Sequence, residues 1–431
     1  MKFEQTNLTK EIKKALLEIG YMEMTEIQEK SIPVILSGKD VIGQSKTGTG
    51  KTAAYGLPII DMIDKENKNT QVIILCPTRE LATQVTSEMR KFMKYKDSIK
   101  VACIYGGQSI QNQIKDLKHG AQIIIGTPGR IMDHIRRKTI KLSNTKIAVL
   151  DEADEMLDMG FEEDMETILK ETDENRQTLL FSATMSPKIL KITKKYLQNP
   201  VNIKIKAEEL TVNNIEQIAI EMKNDMKDEA VMTLLDFYCP RKAIIFCNTK
   251  RKVDNLIEIL QKNGYLADAI HGDKNQDQRE RIMKRFKRGD ITILIATDVA
   301  ARGIDVENLD LVINYDVPQE EEYYVHRIGR TGRNGNKGKS FTFVVGREKN
   351  KITSIEKFSK SKIKYGKLPK TTEVSKIKQE KILFEIQNEI DSIKKNVRND
   401  LFDELLINNN NDSEKVARAL FTIVMGEKNK K

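Results

Sequence analysis

Between Gln71 and Ile205 the chain alternates short, unbroken apolar runs with longer stretches whose apolar positions recur every three or four residues. The short runs, QVIILCP, KVACIY, AQIIIGTP, KIAVLDEAD and QTLLFSAT, read as buried strands, and the stretches between them read as amphipathic helices. This alternation predicts βαβ units and therefore a parallel sheet. After a polar stretch, Lys206 to Asn213, the pattern restarts with KAIIFCNT, YLADAIHG, ITILIATD, LDLVINYD and SFTFVVG. Two tandem α/β domains are expected, spanning 1–206 and 214–346, joined by a linker at 207–213. Beyond Gly346 the strand pattern stops and lysine becomes frequent. A long helical pattern starts near Thr372, breaks at NNNND (408–412), and gives way to a last helix with Asp412 or Ser413 as its N-cap. Residues 347–431 are thus expected to be a basic linker and a helical extension.

Composition narrows the class without naming a function. A chain of 431 residues exceeds what one core usually serves, which agrees with two domains and an appendage. Hydrophobic residues at 39% and charged residues at 32% exclude general disorder and fibrous classes. No stretch approaches the roughly 20 apolar residues of a membrane span, and MKFEQTNLTK has no apolar signal core, so a cytoplasmic protein without a membrane partner is expected. Cys76, Cys103, Cys239 and Cys247 show no CxxC spacing and read as reduced thiols, and the four histidines have no ligand spacing. The net charge of +10 suggests a polyanionic partner but is a mild excess, 73 basic residues against 63 acidic.

The segment Asp40 to Ala54, DVIGQSKTGTGKTAA, passes from a strand-like start into a helix. Ser45, Lys46, Thr47, Gly48, Thr49 and Gly50 form a loop whose backbone N–H groups can turn around phosphate oxygens. Lys51 supplies a point charge to the β- and γ-phosphates, and Thr52 can ligate Mg²⁺. Ser45 stands where the strict phosphate-loop pattern has glycine. A dinucleotide-type turn competes, since Gly48, Gly50 and Ala53 satisfy GxGxxA, but Lys51-Thr52 has no role there. One hundred residues on, the strand IAVL ends in Asp151-Glu152-Ala153-Asp154. Opposite a phosphate loop, Asp151 would hold Mg²⁺ through water and Glu152 would orient or deprotonate the attacking water. An acidic cluster complementing a helix dipole is the bland alternative.

The second domain has no phosphate loop but carries HRIGRTGR (326–333), with Arg327, Arg330 and Arg333 three apart. On a helical turn that spacing is expected to send several guanidinium groups one way, as arginine fingers toward a γ-phosphate; a solvated basic turn is the alternative. Gly338-Lys339-Ser340 mimics the end of a phosphate loop but leads into a strand, which offers no helix dipole.

Taken in order, the motifs resemble the DEAD-box RNA helicases of superfamily 2. Phe3 precedes GYMEMTEIQ (20–28); SKTGTGKT (45–52), PTRELA (77–82), Gly106-Gly107, TPGR (127–130), DEAD (151–154) and SAT (182–184) follow. The second domain continues with IIFCNT (244–249), QDQR (276–279), ATDVAARGID (296–305) and HRIGRTGR (326–333). Met24-Thr25 replaces the family's usual Pro-Thr. The resemblance implies two RecA-like domains and an ATP-dependent, RNA-stimulated helicase. It further implies that Gln28 pairs with adenine and Phe3 stacks on it, that Asp305 contacts the ribose, and that Arg330 and Arg333 approach the γ-phosphate. Asp154, Ser182, Thr184 and His326 would couple the domains. RNA contacts would fall on Arg79, Gly107, Thr127, Arg130, Arg279 and Thr297, meeting backbone phosphates and 2′-hydroxyls rather than base edges. A non-catalytic RNA clamp and a DNA translocase are the rival readings, and the intact Glu152 and HRIGRTGR disfavour the clamp.

Residues 346–431 carry 20 Lys+Arg against 13 Asp+Glu, most of the net charge. Within them KFSKSKIKYGKLPK (357–370) has six lysines, no acid, and Phe358 and Tyr365 interleaved, consistent with a solvated linker or with auxiliary RNA binding. Leu383, Ile386, Ile390, Ile393 and Val397 recur at helical spacing and are expected to pack on the final helix at Val416, Leu420 and Ile423. The extension also resembles that of bacterial cold-shock-type DEAD-box helicases, which implies homodimerisation as a second reading, and cold response, ribosome assembly or RNA degradation as the setting.

Overall fold

The computed structural model describes residues 1–45, 48–205, 214–301, 309–332, 337–392 and 400–424. Four expected site residues, Lys46, Thr47, Asp305 and Arg333, lie outside the described residues, as do the linker 207–213 and two members of the C-terminal stripe, Ile393 and Val397. By mutual contact the chain forms two compact units: Met1–Asn213 with Ile270–Lys284 and Ala296–Glu307, and Asn214–Ala269 with Arg285–Ile295 and Asn308–Lys431.

The first sheet has seven strands, β1 (Val41–Gln44), β2 (Val72–Leu75), β3 (Val101–Ile104), β4 (Ile123–Gly126), β5 (Ile147–Leu150), β6 (Gln177–Ser182) and β7 (Val201–Lys204). Their order is β3-β4-β2-β5-β6-β1-β7, and every neighbouring pair is parallel. Strands β2, β4, β5 and β6 are buried throughout because helices cover both faces, which is why their sequences are unbroken apolar runs instead of alternating ones. One face packs on the helices Glu26–Leu36, Lys51–Met62 and Arg79–Phe92, and the other on Pro128–Arg136, Glu162–Lys170 and Pro187–Tyr196.

The second sheet also has seven strands: β8 (Ile215–Glu221), β9 (Ala243–Phe246), β10 (Ala267–Ile270), β11 (Ile293–Ala296), β12 (Leu311–Asn314), β13 (Gly338–Val344) and β14 (Lys364–Gly366). The order is β10-β11-β9-β12-β13-β8-β14, with β9, β12, β13, β8 and β14 successively parallel. The same strand order in both halves makes the chain a tandem of two equivalent α/β folds, as the restarted pattern requires.

Two boundaries differ from expectation. The second sheet does not end at 346, because β14 pairs with β8 and the helix Lys349–Ser359 buries Ile352 and Ile355. An exposed edge strand of three residues, Lys364-Tyr365-Gly366, lacks the apolar run that marks the others, so the pattern missed it. The C-terminal extension also does not fold back as expected. The helix Thr371–Ser392 lies against Lys227–Tyr238, with Val374 buried and Lys378 bonded to Asp236 at 2.6 Å, whereas Leu383 and Ile390 are exposed. Leu420 and Ile423 of the last helix, Ser413–Val424, are exposed too, and only Val416 is buried. The N-cap of that helix is Asp412, whose Oδ1 accepts the Lys415 N–H at 2.9 Å.

Candidate functional site

Parallel strands place every loop that follows them on one edge, and ligands of such sheets gather there. In the first sheet that edge collects the described residues after β1 (Ser45, Gly48 to Gly50), β2 (Arg79), β3 (Gly107), β4 (Thr127), β5 (Asp151 to Asp154) and β6 (Ala183, Thr184). Strand order then sorts them. β5, β6 and β1 are adjacent and bring the phosphate loop, DEAD and SAT together, while β3, β4 and β2 bring Arg79, Gly107, Thr127 and Arg130 together.

On the nucleotide side, Gly48 and Gly50 take φ of +80° and +89°, and Gly50 serves as the N-cap of the helix Lys51–Met62. A Cβ on Gly50 would stand 2.3 Å from Gln28 Nε2, so both backbone conformation and space demand glycine there. Gln28 is buried; its Oε1 accepts the Thr25 N–H at 2.9 Å and its Nε2 donates to the Gly50 carbonyl at 3.1 Å. One N–H and one lone pair of the amide remain for a base. Ser45 is buried and accepts a hydrogen bond from Thr49 Oγ1 at 3.0 Å, which accommodates the departure from glycine.

Lys51 is 6% exposed, and among the described residues its buried ammonium has no hydrogen-bond partner. A buried cation without one is costly unless an anion joins it, and the N-terminus of its own helix is aimed at the same place. Lys51 also acts electrostatically on the two carboxylates after β5. Burial pushes Asp151 up and Lys51 pulls it back, with further help from the Tyr55 hydroxyl. Burial raises Glu152 to about 7, again against the pull of Lys51 and with the Asp151 charge adding to the rise. Glu152 sits in the left-handed region at φ +50°, a strained position for a side-chain-bearing residue that breaks the chain sharply between β5 and the helix Ala153–Asp158. Asp154 bonds instead to the SAT segment: its Oδ2 accepts the N–H groups of Ala183 and Thr184 at 3.0 and 2.8 Å and the Thr184 hydroxyl at 3.2 Å. Ser182 donates to the Thr184 carbonyl at 2.6 Å. One carboxylate therefore fastens the DEAD segment to the SAT segment.

Phe3 differs from the expectation of a stacking ring. It is 3% exposed, packed in the core with its centroid 6.3 Å from that of Tyr21, so a base could lie on it only after neighbours give way. Thr52 is half-buried one residue past Lys51. Among the described residues no group of three or more His, Cys, Asp or Glu is placed to hold a metal. A site of one carboxylate and one hydroxyl fits Mg²⁺, which is commonly held by one or two carboxylates, substrate phosphates and waters.

On the other half of the edge, the Arg79 guanidinium lies over the Gly106-Gly107 turn; a Cβ on Gly107 would stand 2.3 Å from its Nη1. Gly107 takes φ +93°, and Thr127 is buried directly before Pro128, the first residue of its helix. Arg130 Nη1 donates to the Gln108 carbonyl at 3.2 Å and to Gln113 Oε1 at 3.0 Å. Gln113 in turn meets His134 Nε2 at 3.1 Å and donates to the Tyr105 carbonyl at 2.8 Å. Burial first, and then Arg130, holds His134 below its ordinary value.

After β10 of the second sheet, Arg279 in the helix Gln276–Arg288 donates to the Ala300 carbonyl at 2.9 Å, three residues beyond Thr297, which itself follows β11. Of the arginines of HRIGRTGR, Arg327 and Arg330 are described, and they differ in burial. The helix Glu321–Ile328 ends before Arg330, and Arg327 is 1% exposed, donating to the Asp316 carbonyl at 2.7 Å and to Asn248 Oδ1 at 2.8 Å while lying over Phe246. Arg327 is a core residue; Arg330 and His326 are half-buried, Arg330 on the turn after the helix.

Comparison with known proteins decides the family. Residues 25–192 match the family described as DEAD/DEAH box helicase, and residues 226–335 match the helicase conserved C-terminal domain. The ATP-dependent RNA helicase CshA of Limosilactobacillus reuteri is 49% identical over 376 residues, 87% of this chain and 76% of that protein. The chain belongs to the DEAD-box helicases. Another relative, the DEAD-box ATP-dependent RNA helicase CshA of Bacillus subtilis, is 49% identical over 367 residues, 85% of this chain and 74% of that protein. Among solved structures, S. cerevisiae Dbp5 bound to RNA and ADP BeF3 superposes with a TM-score of 0.77 at 31% identity, covering 88% of this chain and 99% of that one. A DEAD box protein from the hyperthermophile Methanococcus jannaschii does so with a TM-score of 0.50 at 45% identity, covering 85% and 99%.

Within the DEAD-box site, the motif reading missed the groups that hold the named residues in place. Gln113 and His134 steady Arg130, and Asn248 and Asp316 engage Arg327. Asn248 lies within IIFCNT without an assigned role, and the other three carry no motif of their own. The available signal was weak: a polar residue at an otherwise apolar helix position, as at Gln113 and His134.

Proposed function

We propose that this DEAD-box chain turns over ATP with Mg²⁺ in response to RNA, and uses the cycle to disrupt short RNA duplexes and RNA-protein contacts without reading sequence. The observation that carries this reading is the single edge of the first sheet, which holds a buried Lys51 ammonium, without a hydrogen-bond partner among the described residues, beside two carboxylates and, on the strands beyond β5, an Arg79-Gly107-Arg130 surface. Lys51 and the turned N–H groups of the phosphate loop bind the phosphates. Thr52 and Asp151 hold Mg²⁺, which would neutralise phosphate charge. Glu152, raised to about 7, is matched to accepting a proton from water near neutral pH. Gln28 reads adenine with its remaining donor and acceptor, Asp305 the ribose, and Arg330 and Arg333 the transition-state charge. Asp154, Ser182, Thr184 and His326 couple the halves. Arg79, Gly107, Thr127, Arg130, Arg279 and Thr297 grip the RNA backbone. Two motif-bearing domains of this kind are taken to be 1–206 and a second that continues past 346.

Steady-state ATPase measurements with and without RNA test the reading. Arg330→Ala is expected to lower RNA-stimulated turnover by about 10³–10⁵-fold while ATP still binds. Unchanged turnover would reject the finger assignment, and equal stimulation by DNA would favour a DNA translocase. A cytoplasmic setting in cold response, ribosome assembly or RNA degradation is proposed from the kinship with CshA. A homodimer through the C-terminal helices is proposed from the exposure of Leu383, Phe384, Ile390 and Leu401, and light scattering that finds only monomer would remove it.

A further inference from the structure

The helix that begins with Lys51 carries a second polar group to Asp151 that no phosphate-loop pattern includes. Tyr55 stands four residues after Lys51 and so shares its helix face. Its hydroxyl donates to Asp151 Oδ2 at 2.8 Å. The other carboxylate oxygen, Oδ1, accepts the Glu152 N–H at 3.1 Å. Asp151 is 2% exposed, so these two donors stand where water would otherwise be.

The tyrosine is itself held in place. Its ring is fully buried and its centroid lies 5.3 Å from that of Phe181 on β6, at an interplanar angle of 52°. Phe181 occupies space left by its register partner Gly43 on β1, where a Cβ would stand 2.5 Å from the ring. Gly43, Phe181 and Tyr55 thus form a packed series running from the strand of the phosphate loop to the carboxylate after β5. The last side-chain torsion of an aspartate is a broad, roughly two-fold rotor. One donor on each oxygen fixes it, and each oxygen keeps a lone pair for another partner.

We propose that Tyr55 is a positioning residue that presents Asp151 to the Mg²⁺–nucleotide complex, acting through the carboxylate and touching neither metal nor nucleotide. The inference rests on the reading of Asp151 as the Mg²⁺ group. Mg²⁺ demands near-ideal octahedral geometry, so a carboxylate released from one of its donors weakens the metal-dependent part of nucleotide binding. Nucleotide without metal does not use that carboxylate and should bind as before.

The test uses the full chain as parent, Tyr55→Phe and Asp151→Asn, titrated with a fluorescent ADP analogue across a Mg²⁺ series and in EDTA. Tyr55→Phe keeps the ring and its packing against Phe181. It is expected to raise the half-saturating Mg²⁺ concentration about tenfold, the low end for groups that orient a metal ligand, and to leave affinity in EDTA unchanged. A half-saturating Mg²⁺ concentration equal to the parent's overturns the inference. So does an equal loss with and without metal, which would make Tyr55 a general packing residue. A parent with no Mg²⁺ dependence, or an Asp151→Asn variant that retains it, overturns the reading of Asp151 and this inference together. Dependence lost in Asp151→Asn but intact in Tyr55→Phe overturns only the inference.

Discussion

At the scale of single residues, motif spacing identified groups by what they can do, while packing decided what they are doing. Lys51 and Gly50 were legible because a phosphate loop needs a cation and a glycine at fixed places, and the φ of +89° and the 2.3 Å approach at Gly50 supply the reason; Gln28 was legible only through the resemblance to the family. Arg327 was misread for the same cause: three arginines at equal spacing look alike until one of them meets Asn248, Phe246 and the Asp316 carbonyl. His134 was unassigned because a lone histidine carries no pattern. Its neighbours are Gln113 and Thr139 by hydrogen bond, with the charges of Arg130 and Arg137 disfavouring protonation and that of Asp133 favouring it. Burial, then Arg130, keeps its folded value below the ordinary one, so the unfolded chain binds a proton that the folded chain refuses. The stability this contributes is present above about pH 6.5 and is lost as pH falls below it. Urea unfolding at a series of pH values should show that fall in the parent and a shallower one in His134→Gln; identical slopes would discount the histidine.

At the scale of elements, the buried central strands were readable, as were the edge strands β3 and β10, whereas the opposite edge strands β7 and β14 were not. β2, β4, β5 and β6 announce themselves as apolar runs because both their faces are covered. β7 and β14 lie at sheet edges with exposed polar positions and give no comparable signal, and β8, IEQIAIE, alternates instead of running. The second sheet is further organised by an ion cluster that no motif marks. Asp316, just past β12, accepts hydrogen bonds from Lys227 Nζ at 2.9 Å, from Lys252 Nζ at 2.7 Å and from the Asn248 N–H at 3.1 Å. Burial alone would raise this carboxyl, but the hydrogen bonds of the two lysines outweigh it and hold the group below its usual range. Asp316→Ala would leave the Lys227 ammonium buried and uncompensated, at a cost of about 3–5 kcal/mol. Chemical unfolding followed in the second unit should show a loss of that size; a loss below about 1 kcal/mol, the range of an exposed pair, would mean that water replaces the carboxylate.

At the scale of the whole molecule, the net charge of +10 resolves into a nearly balanced motif-bearing region and a basic C-terminal one. The lysines at 357, 360, 362, 364, 367 and 370 are all exposed, beside exposed Phe358 and Tyr365, and part of this segment is the edge strand β14. Removing everything after 346 would therefore take an edge strand from the second sheet, so the charge is better tested by substitution. If these lysines bind RNA, replacing them with glutamine should flatten the salt dependence of binding by about 0.7 in log–log slope for each single-strand phosphate that is no longer neutralised. An unchanged slope would assign the charge to solubility. The sequence by itself determined the tandem α/β plan, the phosphate loop, DEAD and the family, because these depend on apolar runs and on residue types at short fixed spacings. Tertiary structure alone decided the strand order that seats the phosphate loop, DEAD and SAT side by side, and the burial of Arg327. It also set Tyr55 and the backbone of Glu152 on the two oxygens of Asp151. Apart from the neighbouring Glu152 N–H, such contacts join residues up to 139 positions apart, and parallel strand pairing brings the segments that carry them together.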